Sequence, residues 1–155
     1  MKQLFSIVLV ILALIGCDET FDTPPRSVLA ALVKYSSGAT NVSPVISAYG
    51  VGQDSILIKQ EQTNEFNLPL STSESSSFVI LFDSIPDTLT VVHENTINYE
   101  SIESGFYYEY LIKNTSHTYN RIDSIVVLDS AVTHFWNENI TLYINDLPAD
   151  AGGIE

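Results

Sequence analysis

The sequence predicts an all-β chain: a single antiparallel β-sandwich of about eight or nine short strands, placed after a signal peptide and a short tether. Three observations carry this reading. Apolar and polar residues alternate with period two along several segments, β-branched and aromatic residues are enriched there, and turn-forming residues interrupt them at short intervals. Beyond residue 17 no segment has the i, i+3, i+4, i+7 apolar spacing of an amphipathic helix. That many short strands suits two facing sheets, which bury each other's apolar face. A small barrel is the alternative.

The domain is expected over residues 27–147, with 148–155 as a polar tail. Val28 to Tyr35 is apolar and ends at Ser36-Ser37-Gly38, a turn signal. Val42 to Tyr49 follows, stopped by Gly50 and Gly52, and then the short β-branched run from Asp54 to Lys59. Phe66 to Leu70 leads into Ser71 to Ser77, read as a loop. Phe78 to Phe82 is a compact apolar run, closed by Asp83 and by Pro86-Asp87, and Thr88 to His93 is β-prone throughout. In Gly105 to Lys113 alternation puts Phe106, Tyr108, Tyr110 and Ile112 on one face, assigned to the core, with Tyr107, Glu109, Leu111 and Lys113 opposite. Ile122 to Leu128 and Ile140 to Ile144 complete the set. Asp-Ser-Ile recurs at 54, 83 and 123, which reads as turn chemistry, because Asp and Ser side chains bond to nearby backbone.

Ahead of the domain, residues 1–16 have the layout of a lipoprotein signal peptide. Lys2 supplies the basic start, and Leu4 to Ile15 is apolar except for Ser6. A dozen such residues fall short of the ~20 needed to span a bilayer. The run ends in Leu14-Ile15-Gly16-Cys17, which resembles the lipobox of bacterial prolipoproteins. In that chemistry the Cys17 thiolate accepts a diacylglyceryl group, and small Gly16 lets the peptidase reach the bond before it. Cys17 is the chain's sole cysteine, so it has no internal disulfide partner. Two or more acyl chains anchor stably where one is marginal. Residues 17–26 then form an acidic tether stiffened by Pro24-Pro25. The expected location is the cell envelope, lipid-anchored, at the outer membrane, facing the periplasm or the surface.

Charge narrows the partners. Six Lys and Arg face nineteen Asp and Glu, a net of -13, so nucleic acid and anionic headgroups are repelled. Hydrophobic residues make up 45% of the chain, enough for a core. The expected contacts are the membrane, through lipid on Cys17, and an envelope protein or glycan.

From about Leu68 to Ile144 the order of features resembles a family of small Bacteroidota lipoproteins defined as a domain of unknown function. The matching stretches are Leu68-Pro69-Leu70, Phe78 to Phe82, Asp87-Thr88-Leu89-Thr90-Val91, Ser104-Gly105-Phe106 with its aromatic strand, and Ile140 to Ile144. The chain has Ser104-Gly105 where that family carries Cys-Gly, and it lacks the family's cysteines near the start. The resemblance implies a lipid-anchored β domain of the envelope and no particular activity.

No catalytic, metal or cofactor constellation stands out. His93, His117 and His134 lie in separate segments without ligand spacing, whereas zinc takes three or four converging ligands. His93 and Glu94, as strand neighbours, point to opposite faces. There is no Gly-x-Ser-x-Gly elbow, and Glu100, Glu103 and Glu109 read as exterior acids. Aromatics are the distinctive feature: Tyr107, Trp136 and Tyr143 are the candidate binding surface, suited to stacking on a sugar or anchoring a protein. The expectation is a non-catalytic interaction or structural module. A small-ligand or glycan binder comes second, and a hydrolase third.

Overall fold

The computed structural model describes residues 23–39, 43–53 and 55–147. The expected leader with Leu14, Ile15 and Gly16, the lipidation site Cys17, most of the tether, Asp54 and the tail from 148 lie outside those residues.

Among the described residues there are ten strands: β1 (Val28–Tyr35), β2 (Val45–Gly50), β3 (Ile56–Gln62), β4 (Glu65–Pro69), β5 (Ser75–Phe82), β6 (Ile85–Ser101), β7 (Gly105–His117), β8 (Ile122–Val127), β9 (Ala131–Val132) and β10 (Ile140–Ile144). They build a four-stranded sheet, β4-β1-β10-β8, and a six-stranded sheet, β3-β2-β5-β6-β7-β9. The all-β sandwich is therefore correct. One pair departs from the antiparallel expectation: β1 and β10 run parallel, with Ala31 beside Ile140 and Val33 beside Leu142. A parallel pair needs a long crossover, and everything between the first and last strands supplies it.

The core lies between the sheets and follows the period-two pattern. Leu29, Ala31 and Val33 of β1 and Ile140, Leu142 and Ile144 of β10 meet Ile46, Ile80, Phe82, Leu89 and Val91 of the larger sheet, all buried. At about 25 cal/mol per Å² of apolar surface removed from water, this layer is the main source of stability.

Pro86-Asp87 does not end a strand, as the sequence reading had it. Both residues sit at the start of β6, where Pro86 stands opposite Leu81 and Asp87 opposite Ile80, and a strand start tolerates proline. The chain turns instead at Asp83 and Ser84, whose φ values of 50° and 74° are the two positive angles of a type I′ hairpin. Asp83 also accepts the Val45 N–H at 2.9 Å. Of the three Asp-Ser-Ile triplets, that at 123 lies inside β8 rather than at a turn. Likewise Ser75 to Ser77 belong to β5 rather than to a loop.

The two ends of the sandwich differ. At one, Val28 lies beside Pro69, so the chain enters from the tether where the crossover from β4 to β5 departs. That crossover is tied to the larger sheet: Tyr110 donates its hydroxyl to the Leu70 carbonyl (3.1 Å) and His93 donates its N–H to the Glu74 carbonyl (2.9 Å). The opposite end is locked by polar groups. Arg121, 1% exposed, pairs with Asp83 at 2.8 Å and donates to the Asn145 carbonyl. Buried Asp87 accepts the N–H groups of Asn120 (2.9 Å), Arg121 (2.6 Å) and Ile122 (2.8 Å), and the Thr118 hydroxyl (2.6 Å).

Candidate functional site

The strongest departure from a closed sandwich is at the tether end. β5 begins at Ser75, opposite Val92 of β6, yet β6 runs on to Ser101 with β7 as its partner. β9 touches β7 only at Tyr110 and Leu111. Among the described residues, Glu94–Ser101 and Gly105–Glu109 thus form a two-stranded arm with no sheet beside it. Its turn is held by the Ser104 N–H donating to the Ser101 hydroxyl at 2.9 Å, and by Gly105 at φ 78°, a value that glycine adopts without strain.

A register shift between Val92 and His93 sets which side chains share a face. His93 and Ile112 point inward, and beyond them the same face carries Ile97 opposite Tyr108 and Tyr99 opposite Phe106. Ile97 is 58% exposed, Tyr99 56%, Phe106 66%, and Ile102 in the turn 91%. This corrects the assignment of Phe106 to the core. Alternation chose the right face, but the arm outruns the second sheet, so only Tyr110 and Ile112 are buried while Tyr108 packs at the margin. The other face is polar: Glu109 accepts from the Asn98 amide at 2.9 Å, and Glu94 pairs with Lys113 at 2.9 Å.

The base of the arm is anchored. Tyr110 meets the His93 ring edge-on at 5.1 Å and stacks with Tyr108 at 6.4 Å. Burial, then the neighbouring Tyr108, pushes the Tyr110 hydroxyl above the usual phenol range. His93 is held 3.0 Å from the Ser76 hydroxyl, and burial lowers its pKa, which keeps the ring neutral near pH 7. Ser76 in turn accepts the Ser71 N–H at 2.8 Å. This pair has the look of a nucleophile and base. However, Nδ1 of His93 has no partner among the described residues, so the orienting acid of a triad is missing from them.

The three expected binding residues do not form one surface. Tyr107 is half-buried on the arm's polar face, edge-on to His134 at 5.2 Å. Partial burial, followed by the charges of Glu109 and Glu100, raises its pKa. Trp136, 72% exposed, overhangs the outer face of the smaller sheet beside Ala30, Leu32 and Asn67. Tyr143 is half-buried on that same outer face, lining a cleft with Leu32, Lys34 and Tyr35. Trp136 and Tyr143 therefore flank Leu32, and Tyr107 stands apart. The residues that sequence reasoning missed are Ile97, Tyr99 and Ile102. Their apolar spacing was present, but it was embedded in the polar run Glu94 to Ser104.

The remaining concavities are open clefts. One lies at the tether end, about 340 Å³, between Val51 and Leu57 on one side and Leu70 and Phe78 on the other. Among the described residues no three His, Cys, Asp or Glu side chains gather as metal ligands.

Neither a curated protein nor a solved structure matches the chain. A family model, described as a family of unknown function (DUF6452), matches residues 45–144, from the first residue of β2 to the last of β10. With well over half of its length so matched, the chain belongs to the DUF6452 family.

Proposed function

We propose that the chain is a lipoprotein precursor of the bacterial envelope, of the Bacteroidota type, processed before Cys17 and held on the outer membrane by lipid on that residue. Its β domain is a non-catalytic interaction module. The observation that carries the reading of the domain is the arm, where Ile97, Tyr99, Ile102 and Phe106 are left uncovered at the end that receives the tether. Monomeric proteins rarely expose contiguous apolar surface without using it for contact. The anchor is supported by the short apolar leader ending at the sole cysteine.

A second reading, a small-ligand binder, is favoured by the cleft between the sheets beside Leu57, Leu70 and Phe78. Its mouth is open, whereas ligand pockets enclose most of their ligand.

Photocrosslinking in native cells tests the interaction reading. A photoreactive residue at position 99 should give adducts, to lipid or to protein, and one at Tyr119, exposed at the far end, should give few. Equal yields would refute a role for the arm. For the anchor, Cys17→Ala should abolish incorporation of labelled palmitate, and undiminished labelling would refute it.

A further inference from the structure

We infer that the occupant of the arm is the bilayer surface itself: the face bearing Ile97, Tyr99 and Phe106 lies on zwitterionic lipid, tether end down. This rests on the reading of Cys17 as the lipid anchor.

Position is the first argument. Val28 begins at the end from which the arm projects. The tether from Cys17 to Ser27 spans at most about 35 Å when extended. From Tyr110 to Ile102 the arm reaches about 27 Å in the same direction. An anchored Cys17 therefore brings the arm within reach of the membrane.

Composition is the second. The arm is amphipathic, with Ile and aromatic rings on one face and Glu94, Asn98, Glu100 and Glu109 on the other. Tyrosine and apolar side chains of this kind settle at the boundary between headgroups and acyl chains. Exposed Glu103 beside Ile102 in the turn keeps the tip from entering the hydrocarbon core. The depth is therefore interfacial. The β2–β3 turn, with exposed Val51 and Ile56, opens at the same end and adds to the contact.

Charge is the third. The arm carries Glu94, Glu100, Glu103 and Glu109 against the single cation Lys113 at its base, which pairs with Glu94, in a chain of net charge -13. Anionic headgroups repel it, and so does a second copy of the same acidic arm, whereas a zwitterionic surface does neither.

Tryptophan quenching tests the docking. The acylated chain is reconstituted in phosphatidylcholine vesicles containing brominated acyl chains. Trp136→Phe removes the only native tryptophan, and a single reporter is introduced by Phe106→Trp, by Ile97→Trp, or at the far end by Tyr119→Trp. All three positions are exposed, so the fold should tolerate each. Quenching at 106 and 97 should exceed that at 119 by about twofold or more if the arm is buried several Å into the interface. Equal quenching at the three positions overturns the inference; if a crosslinked dimer accompanies it, the arm belongs to a second copy. The anchor is scored separately, by the mass of the peptide beginning at Cys17. A chain that is acylated yet unquenched at 106 refutes the docking alone.

Discussion

Tyr99 and Phe106 face each other across the β6–β7 arm with ring centroids 5.3 Å apart, and each ring stays more than half exposed. They shield one another on one side and leave the other uncovered. A core pair would be closed from both sides. The doubly substituted chain Tyr99→Ser, Phe106→Ser should therefore lose little stability, about 0.5 kcal/mol per site or less, as for surface positions generally. Urea titration checks this. In the acylated form of the same variant, quenching of an Ile97→Trp reporter by brominated vesicles should fall, which separates the contact role from a structural one.

Asp87 is the opposite case. It is buried, and its carboxylate serves three backbone N–H groups and one hydroxyl across the loop between β7 and β8. Asp87→Ala should cost more than about 3 kcal/mol, since each donor left unsatisfied in the interior costs about 1–3 kcal/mol. The loss should appear as a lower urea midpoint with an unchanged slope.

The buried His93 makes stability depend on pH. Its folded pKa lies below the unfolded value of 6.5, because burial disfavours the charged ring. The unfolded chain therefore takes up the proton first as pH falls. The ring's contribution is complete above about pH 6.5 and declines below it, until the folded ring also titrates. The stability difference between the native chain and His93→Gln should shrink between pH 7.5 and pH 5. A difference constant across that range would contradict a neutral buried ring.

Asn139 joins three elements. Its side-chain oxygen accepts the Ala30 N–H at 3.0 Å, and its amide donates to the carbonyls of Asp129 and Ala131 at 3.2 and 2.9 Å. It thus fixes the loop between β9 and β10 against β1. Asn139→Ala should destabilise by about 1–3 kcal/mol, and hydrogen exchange should quicken at Ala30 before it does at Ile80 in the other sheet.

Strands buried on one or both faces were legible residue by residue. β1 and β10 have the bounds that Val28–Tyr35 and Ile140–Ile144 announced, because burial imposes the apolar pattern that reveals them. The outer half of β6 was not legible. Among the described residues Glu94 to Ser101 packs against no second sheet, so nothing there forces alternation strong enough to outweigh its polar residues. β9 is two residues long, too short for any period. Nor does periodicity name a strand's neighbour, and the parallel pairing of β1 with β10 was hidden for that reason. Asp87 and Arg121 escaped as a site of burial because a charged residue in sequence carries no mark of the backbone that will surround it.

The proposed anchor would hold this acidic sandwich to a membrane through lipid on Cys17. Mass spectrometry of the chain recovered from native membranes tests it most directly. The expected product is a mature protein whose first residue is Cys17, carrying a diacylglyceryl group. A protein that starts at any other residue, or whose Cys17 is a free thiol, would contradict it.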